Sequence, residues 1–478
     1  MNKSPLSIVT RVLNNARIKP ETPALLTADK IVTYRMLAAS ILSVQKRLLD
    51  LGLDMQRPVA LDIEHPTRHM IVALAAMNAG LPTLSLQPGN REFDALDPQA
   101  VLADETDNGR TAPTLVVNDD WFTSAPAPRG PSSDPRQLCR ITVTSGSTGK
   151  PKPLAHCEET IWRRMEDRLP RPLPEVSRCL CLPGLFTHFG FTAALLPLCL
   201  GKTTVFAQSY EEAIRLIDLY RIDHAIGSPA QFAGLLDGLS AAPLPTSSLR
   251  YLLSGGGPLV PKLIANARAH LGAQIIDVYS STEGGPAAMA AGQFLLDRAN
   301  ELSFVPTAPV RCVNRDGSST DGEGLVEVYS RAPSAPYRPG QPYVMPQPQW
   351  VRTGDVGRME HSGALTILGR ANDIANAGGR KIDARAIEQV LMELPGMEDV
   401  GVVISDQESY ASEIWVALVS NRVPDIKAVS MSIATAFNGL QLDRIVRLPK
   451  LPRSSLGKLQ SDELRQTIRA MPQSNDRA

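Results

Sequence analysis

Ile141-Thr-Val-Thr-Ser-Gly-Ser-Thr-Gly-Lys-Pro-Lys152 runs from an apolar strand pattern into hydroxyls, glycines and lysines. Thr144, Ser145, Ser147 and Thr148 offer hydroxyl donors, and Lys150 and Lys152 bring positive charge. Gly146 and Gly149 let backbone N–H groups come close to an oxyanion. Such a strand-to-loop junction suits phosphate oxygens. It is not a Walker loop: the four-residue glycine spacing ahead of Gly-Lys-Ser/Thr is missing, and Pro151 follows Lys150. Taken alone, the run reads equally well as a surface turn, so its surroundings decide.

Downstream, strand patterns at 138–144, 178–182, 203–206, 223–227, 249–253 and 274–279 alternate with helical stretches such as Glu211 to Tyr220 and Pro261 to Leu271. That alternation predicts a largely parallel sheet covered on both faces, with ligands beyond the carboxyl ends of the strands. Upstream, Leu37, Ile41, Val44 and Leu48 recur at helical spacing before Gly52, 58–63 reads as a strand, and 69–80 as a buried helix. Residues 102–136, rich in Asp, Thr, Pro and Ser, read as surface connection. Short β-prone runs between 304 and 369 suggest a small β subdomain. After Arg370 the pattern predicts a smaller α+β unit: a helix near 384–394, strands at 399–404 and 413–419, then a helix at 425–437. The expected fold is therefore α/β: a large N-terminal part of parallel-rich layers (1–370) and a small C-terminal part (371–478).

Lys plus Arg and Asp plus Glu each total 49 in a chain of 478 residues, which argues against a nucleic-acid or membrane-surface protein. The six cysteines lack metal-type spacing and read as reduced thiols of a cytoplasmic protein. No signal pattern or bilayer-length apolar run is expected to add a leader or a membrane span.

Further motifs stand in a fixed order behind the first: Ser254-Gly-Gly-Gly-Pro258, Val278-Tyr-Ser-Ser-Thr-Glu-Gly284, Arg352-Thr-Gly-Asp355, Gly369-Arg370 followed by Gly378-Gly-Arg-Lys-Ile-Asp383, and Pro452-Arg-Ser-Ser-Leu-Gly-Lys458. With the loop at 144–152, they resemble the adenylate-forming superfamily of acyl-CoA synthetases, peptide-synthetase adenylation domains and luciferases. The resemblance runs from about residue 20 to 465. It implies ATP-dependent activation of a carboxylic acid to acyl-AMP, with Mg²⁺, followed by transfer to coenzyme A or to the phosphopantetheine of a carrier protein. A catalytically inactive homologue serving as a binding module is the reading from a different class, disfavoured by retention of Lys458, Glu283 and Asp355.

Residue by residue, the resemblance implies nucleotide contacts from Thr144 to Lys150, Lys152, Gly256, Gly257, Pro258, Tyr279, Asp355 and Arg370. It implies phosphate and metal contacts from Thr282 and Glu283. It makes Lys458 the catalytic lysine of a mobile C-terminal part, Asn372 the hinge, and Gly378 and Gly379 the thiol tunnel. Phe186, His188, Phe189, Ser228 and Ser280 would line or gate the acid pocket. Ser280, Asn372 and Ser461 stand where the family usually has Gly, Asp or Lys, and Arg. No Asp or Glu occurs between Cys179 and Val205, so the pocket offers no partner for an ammonium, and an aryl or fatty acid is expected rather than an amino acid.

Overall fold

A computed structural model describes residues 7–87, 96–106, 111–123, 134–144, 152–168, 177–241, 246–298, 301–314, 316–320, 322–371, 374–377, 380–405, 413–437, 439–454, 457 and 459–471. Its spine is a thirteen-stranded sheet. The parallel centre passes from Pro23–Leu26 through Thr203–Val205, Arg178–Cys181, His224–Gly227 and Tyr251–Gly255 to Gln274–Ser281. There the direction reverses. Gly285–Ala291 returns as a hairpin partner, and Ser303–Pro306 carries the sheet on to Leu365–Arg370, Gln349–Met359, Glu323–Ser330 and Val310–Val313. The β-prone runs of 304–369 thus join the large sheet through its antiparallel side.

A seven-stranded sheet lies against this one, with Leu138–Thr144 paired to Thr83–Ser85 on one side and Lys152–Cys157 on the other. Alternation along each strand sorts its residues between layers. Val59 and Leu61 enter a core shared by both sheets, while Ala60 points to the outer face. Cys179 and Cys181 enter that shared core, and Leu180 packs beneath the helices on the far side of the large sheet. All six cysteines are buried thiols outside any disulfide. The helix expected at 69–80 runs Pro66–Ala79: it starts earlier, with proline at its first turn, and ends at Gly80 in the left-handed region.

One expectation needs correction, and one element was not foreseen. The supposed connection 102–136 contains the strand Thr114–Val116 and the helix Asp120–Thr123, whose Trp121 is buried. A three-residue strand has too little pattern to register in sequence; its parallel pairing with Ala100–Ala103 supplies the order. The helix Ile8–Ile18, absent from the sequence reading, docks through Asn15 Nδ2 to the Leu198 carbonyl at 2.9 Å and through the Ile8 N–H to Glu158 at 2.6 Å.

Towards the C-terminus, Met397–Ser405, Glu413–Ser420 and Arg444–Arg447 form a three-stranded sheet. Ala384–Met392 and Ile426–Ala436 cover one face, and Ser461–Ala470 covers the other. Among the described residues, no helix is long and apolar enough to cross a membrane.

Candidate active site

The hairpin that ends the parallel run carries Tyr279, and two neighbouring antiparallel strands carry Asp355 and Arg370 opposite one another. The Tyr279 hydroxyl donates to Asp355 Oδ2 at 2.6 Å. Arg370 Nε lies 3.0 Å from Asp355 Oδ1, and Arg370 Nη1 donates to the Thr353 carbonyl at 3.0 Å. Thr353 Oγ1 stands 2.9 Å from the Tyr279 hydroxyl. Burial, together with the neighbouring Asp355 charge, pushes the Tyr279 hydroxyl well above its ordinary range, so it keeps its proton and acts as a donor. Gly354, at φ +81°, turns the chain between Thr353 and Asp355 in a conformation that a side chain would strain.

The next turn holds Thr282 and Glu283, both half-buried. Their carbonyls are gripped from behind by Arg164 of the helix Glu158–Arg168. Nη1 donates to Thr282 at 2.7 Å, Nη2 to Glu283 at 2.6 Å, and Nε to Ala332 at 2.7 Å. Ser334 Oγ donates to the same Thr282 carbonyl at 2.7 Å, and the Ser334 N–H to that of Glu283 at 2.9 Å. Arg164 is only 2% exposed, yet its guanidinium is satisfied by carbonyls arranged to receive it. Nothing in the sequence distinguishes this arginine from a solvated helix residue.

The turn Gly256–Pro258 is exposed at the end of Tyr251–Gly255. A Cβ added at Gly257 would lie 3.6 Å from the Pro229 ring, so this turn adjoins the start of the helix Pro229–Ala241. The C-terminal loop reaches the same helix. Gly457, at φ +77°, packs so tightly that an added Cβ would come within 2.3 Å of the Ala230 Cβ. Arg453 holds that loop by donating to the Gly457 carbonyl at 3.0 Å while clasping Asp399 at 2.8 and 2.5 Å.

Phe186, His188 and Phe189, expected from the motifs to line an acid pocket, are half-buried around the start of the helix His188–Cys199. Thr187 caps this helix, accepting from the Gly190 N–H at 2.9 Å. Phe189 reaches over Gly255 at 3.5 Å from a would-be Cβ. His188 stacks on His156 with ring centroids 4.4 Å apart. Burial and the charges of Arg164 and Arg140 push His156 well below its usual range, and Thr142 Oγ1 meets its Nε2 at 2.8 Å. This neutral support for His188 was not visible in the sequence. Ser228 is fully buried, and its hydroxyl accepts from the Gln231 N–H at 3.3 Å, which gives it a capping role. Ser280 is exposed.

Lys152 is exposed at the start of the strand Lys152–Cys157, and Thr144 ends Leu138–Thr144. Ser145 to Lys150, Asn372, Gly378, Gly379 and Lys458 lie outside the described residues.

The family model for AMP-binding enzymes matches residues 12–323. The chain belongs to this family. It is thus a member of the adenylate-forming superfamily that its motifs resemble, and its relatives fit that membership. The 2-succinylbenzoate–CoA ligase of Listeria monocytogenes is 23% identical over 477 residues, 94% of this chain and 97% of its own. The indoleacetate–CoA ligase of Aromatoleum aromaticum is 28% identical over 357 residues, covering 71% of this chain and 69% of that protein. Among solved structures, the o-succinylbenzoate CoA synthetase of Bacillus subtilis bound to its acyl-adenylate intermediate aligns with a TM-score of 0.80. Its identity is 20%, and 95% of this AMP-binding family member and 97% of that chain are covered, a likeness of fold.

Proposed function

We propose that this protein is an ATP-dependent acid–thiol ligase. It activates an aryl or fatty carboxylic acid as acyl-AMP and passes the acyl group to the thiol of coenzyme A. The observation that carries this reading is the meeting of Tyr279, Asp355 and Arg370 beside the clamped Thr282–Glu283 turn. Family membership and the coenzyme A ligases among the relatives support it.

In the first step the acid's carboxylate, already ionised, attacks the α-phosphorus of ATP. The bond to the α–β bridging oxygen breaks and pyrophosphate leaves. Asp355 exchanges its Tyr279 and Arg370 partners for the ribose hydroxyls, and Thr282 donates to the α-phosphate. Glu283 would hold Mg²⁺, whose preference for few protein oxygens plus phosphate fits a single carboxylate, and which neutralises phosphate charge. Lys458 offsets the repulsion between carboxylate and α-phosphate. In the second step the thiol gives its proton to solvent and attacks the acyl carbon; the C–S bond forms, the acyl C–O bond to phosphate breaks, and AMP departs. A rotation of 371–478 about Asn372 removes Lys458 and brings the Gly378–Gly379 loop in to guide the thiol.

ATP–pyrophosphate exchange against aryl, short, medium and long-chain acids tests the first step. Exchange with none of them refutes the reading and favours a binding module. Thioester formation with coenzyme A, set against a phosphopantetheine-loaded carrier protein, tests the second. Product with the carrier alone keeps the adenylation and reassigns the acceptor.

A further inference from the structure

Arg140 lies in the strand Leu138–Thr144, immediately before the phosphate-loop motif, and is 0% exposed. Its Nη2 donates to the Leu185 carbonyl at 2.6 Å, and its guanidinium carbon sits 3.8 Å from the centre of the Phe191 ring. Leu185 and Phe191 bracket the segment that carries Phe186, His188 and Phe189. Nε and Nη1 have no hydrogen-bond partner. Arg164, equally buried, spends its three nitrogens on three carbonyls. Full satisfaction is therefore attainable in this fold, and Arg140 departs from it.

Among the described residues, no carboxylate pairs with Arg140 either. Of the buried acids on the adjacent helix, Glu158 accepts from Ser7 and Ile8, and Glu159 pairs with Arg136 and Arg163. Among the described residues, His69, His156 and Cys139 feel the Arg140 charge. Burial and the Arg140 charge push His69 to about 4, and His156 is depressed too, so both are neutral at pH 7. Burial lowers Arg140 itself only to about 9, which leaves it cationic. A guanidinium enclosed without an anion, with its fork only partly used, is costly unless something else brings the anion.

We infer that Arg140 receives a second anionic group on the acid substrate, making this a ligase for acids that carry a distal carboxylate. The inference rests on the adenylation reading and on the pocket lying at Phe186–Phe189. One carboxylate is activated at the nucleotide while the other meets the free edge of Arg140 above Phe191, where bidentate pairing is strongest.

The test compares succinate through azelate with butyrate through nonanoate in pyrophosphate exchange, for the wild type, Arg140→Met and Arg140→Lys. The wild type is expected to favour the best diacid over the monoacid of equal length by roughly tenfold or more in kcat/KM. Arg140→Met loses that preference, read as the ratio of diacid to monoacid kcat/KM within each variant, and Arg140→Lys is intermediate. Melting temperatures provide a second readout. With an unpaired buried charge removed, apo Arg140→Met melts no lower than wild type, and only the wild type and Arg140→Lys gain from added diacid. A wild type that prefers monoacids, or a diacid preference that survives Arg140→Met, overturns the inference. So does an apo Arg140→Met that melts lower, with no diacid effect on the wild type. Should exchange fail with every acid, the adenylation reading falls, while the diacid-dependent melting shift still reads Arg140.

Discussion

The hydroxyl of Tyr279 donates to Asp355 Oδ2 at 2.6 Å across a sequence separation of 76 residues. Two motifs far apart in the chain are therefore joined by one hydrogen bond, with the proton on Tyr279. Asp355→Asn loses the charge that serves Tyr279, Arg370 and, on the proposed reading, the ribose. The KM for ATP is expected to rise roughly tenfold or more, while Tyr279→Phe, which keeps the ring on Phe304, raises it only a few-fold. Exchange rates at varied ATP measure both. An unchanged KM in Asp355→Asn removes this residue from the nucleotide site.

Arg164 acts through the backbone of Thr282 and Glu283, so its loss should disturb the geometry of the turn more than overall binding. Arg164→Gln is expected to lower the exchange kcat by roughly tenfold to a hundredfold and to raise the Mg²⁺ concentration needed for half activity. Arg164→Lys restores part of the loss. Equal Mg²⁺ dependence in wild type and Arg164→Gln, with only a lower melting temperature, would reduce the residue to a fold support.

The contact of Gly457 with Ala230 leaves no room for a side chain. Gly457→Val should push the C-terminal loop off the helix Pro229–Ala241 and cut adenylation by roughly a hundredfold, while thioester formation from supplied acyl-AMP is spared. Lys458→Ala is expected to divide the two half-reactions in the same way. Parallel loss of both steps in either variant argues against a loop that serves only the first.

Asp277 is buried two residues before Tyr279, and burial pushes its carboxyl up to about 7. Its folded value exceeds the unfolded one, so the folded protein holds the extra proton between about pH 4 and 7 and loses that stabilisation as pH rises through the window. Asp277→Asn, which never ionises, should gain melting temperature relative to the wild type as pH goes from 5 to 8. A constant difference across that range would mean that Asp277 is ionised in the fold throughout.

Strands were legible where the apolar run was long enough to be buried on both faces. The strand expected at 274–279 appears as Gln274–Ser281, and the helix expected at 261–271 as Pro261–Leu271. The strand Thr114–Val116 and the helix Ile8–Ile18 were not legible, because their order comes from partners distant in sequence. The site divides in the same way. Tyr279, Thr282, Glu283, Asp355 and Arg370 could be named as candidates from the motifs and the resemblance they carry. Arg164, His156 and Arg140 could not, since each is marked by its burial and its partners.

By itself the sequence determined the α/β layering, which depends on local periodicity, and the ordered motifs whose resemblance and family-model match place the chain among AMP-binding enzymes. Only the tertiary structure decided which groups support the motifs from behind. Arg164 is satisfied and Arg140 is left with free donors through the positions of carbonyls on other strands and loops. Burial turns that difference into energy, since an N–H group without a partner costs little in water and much inside a protein.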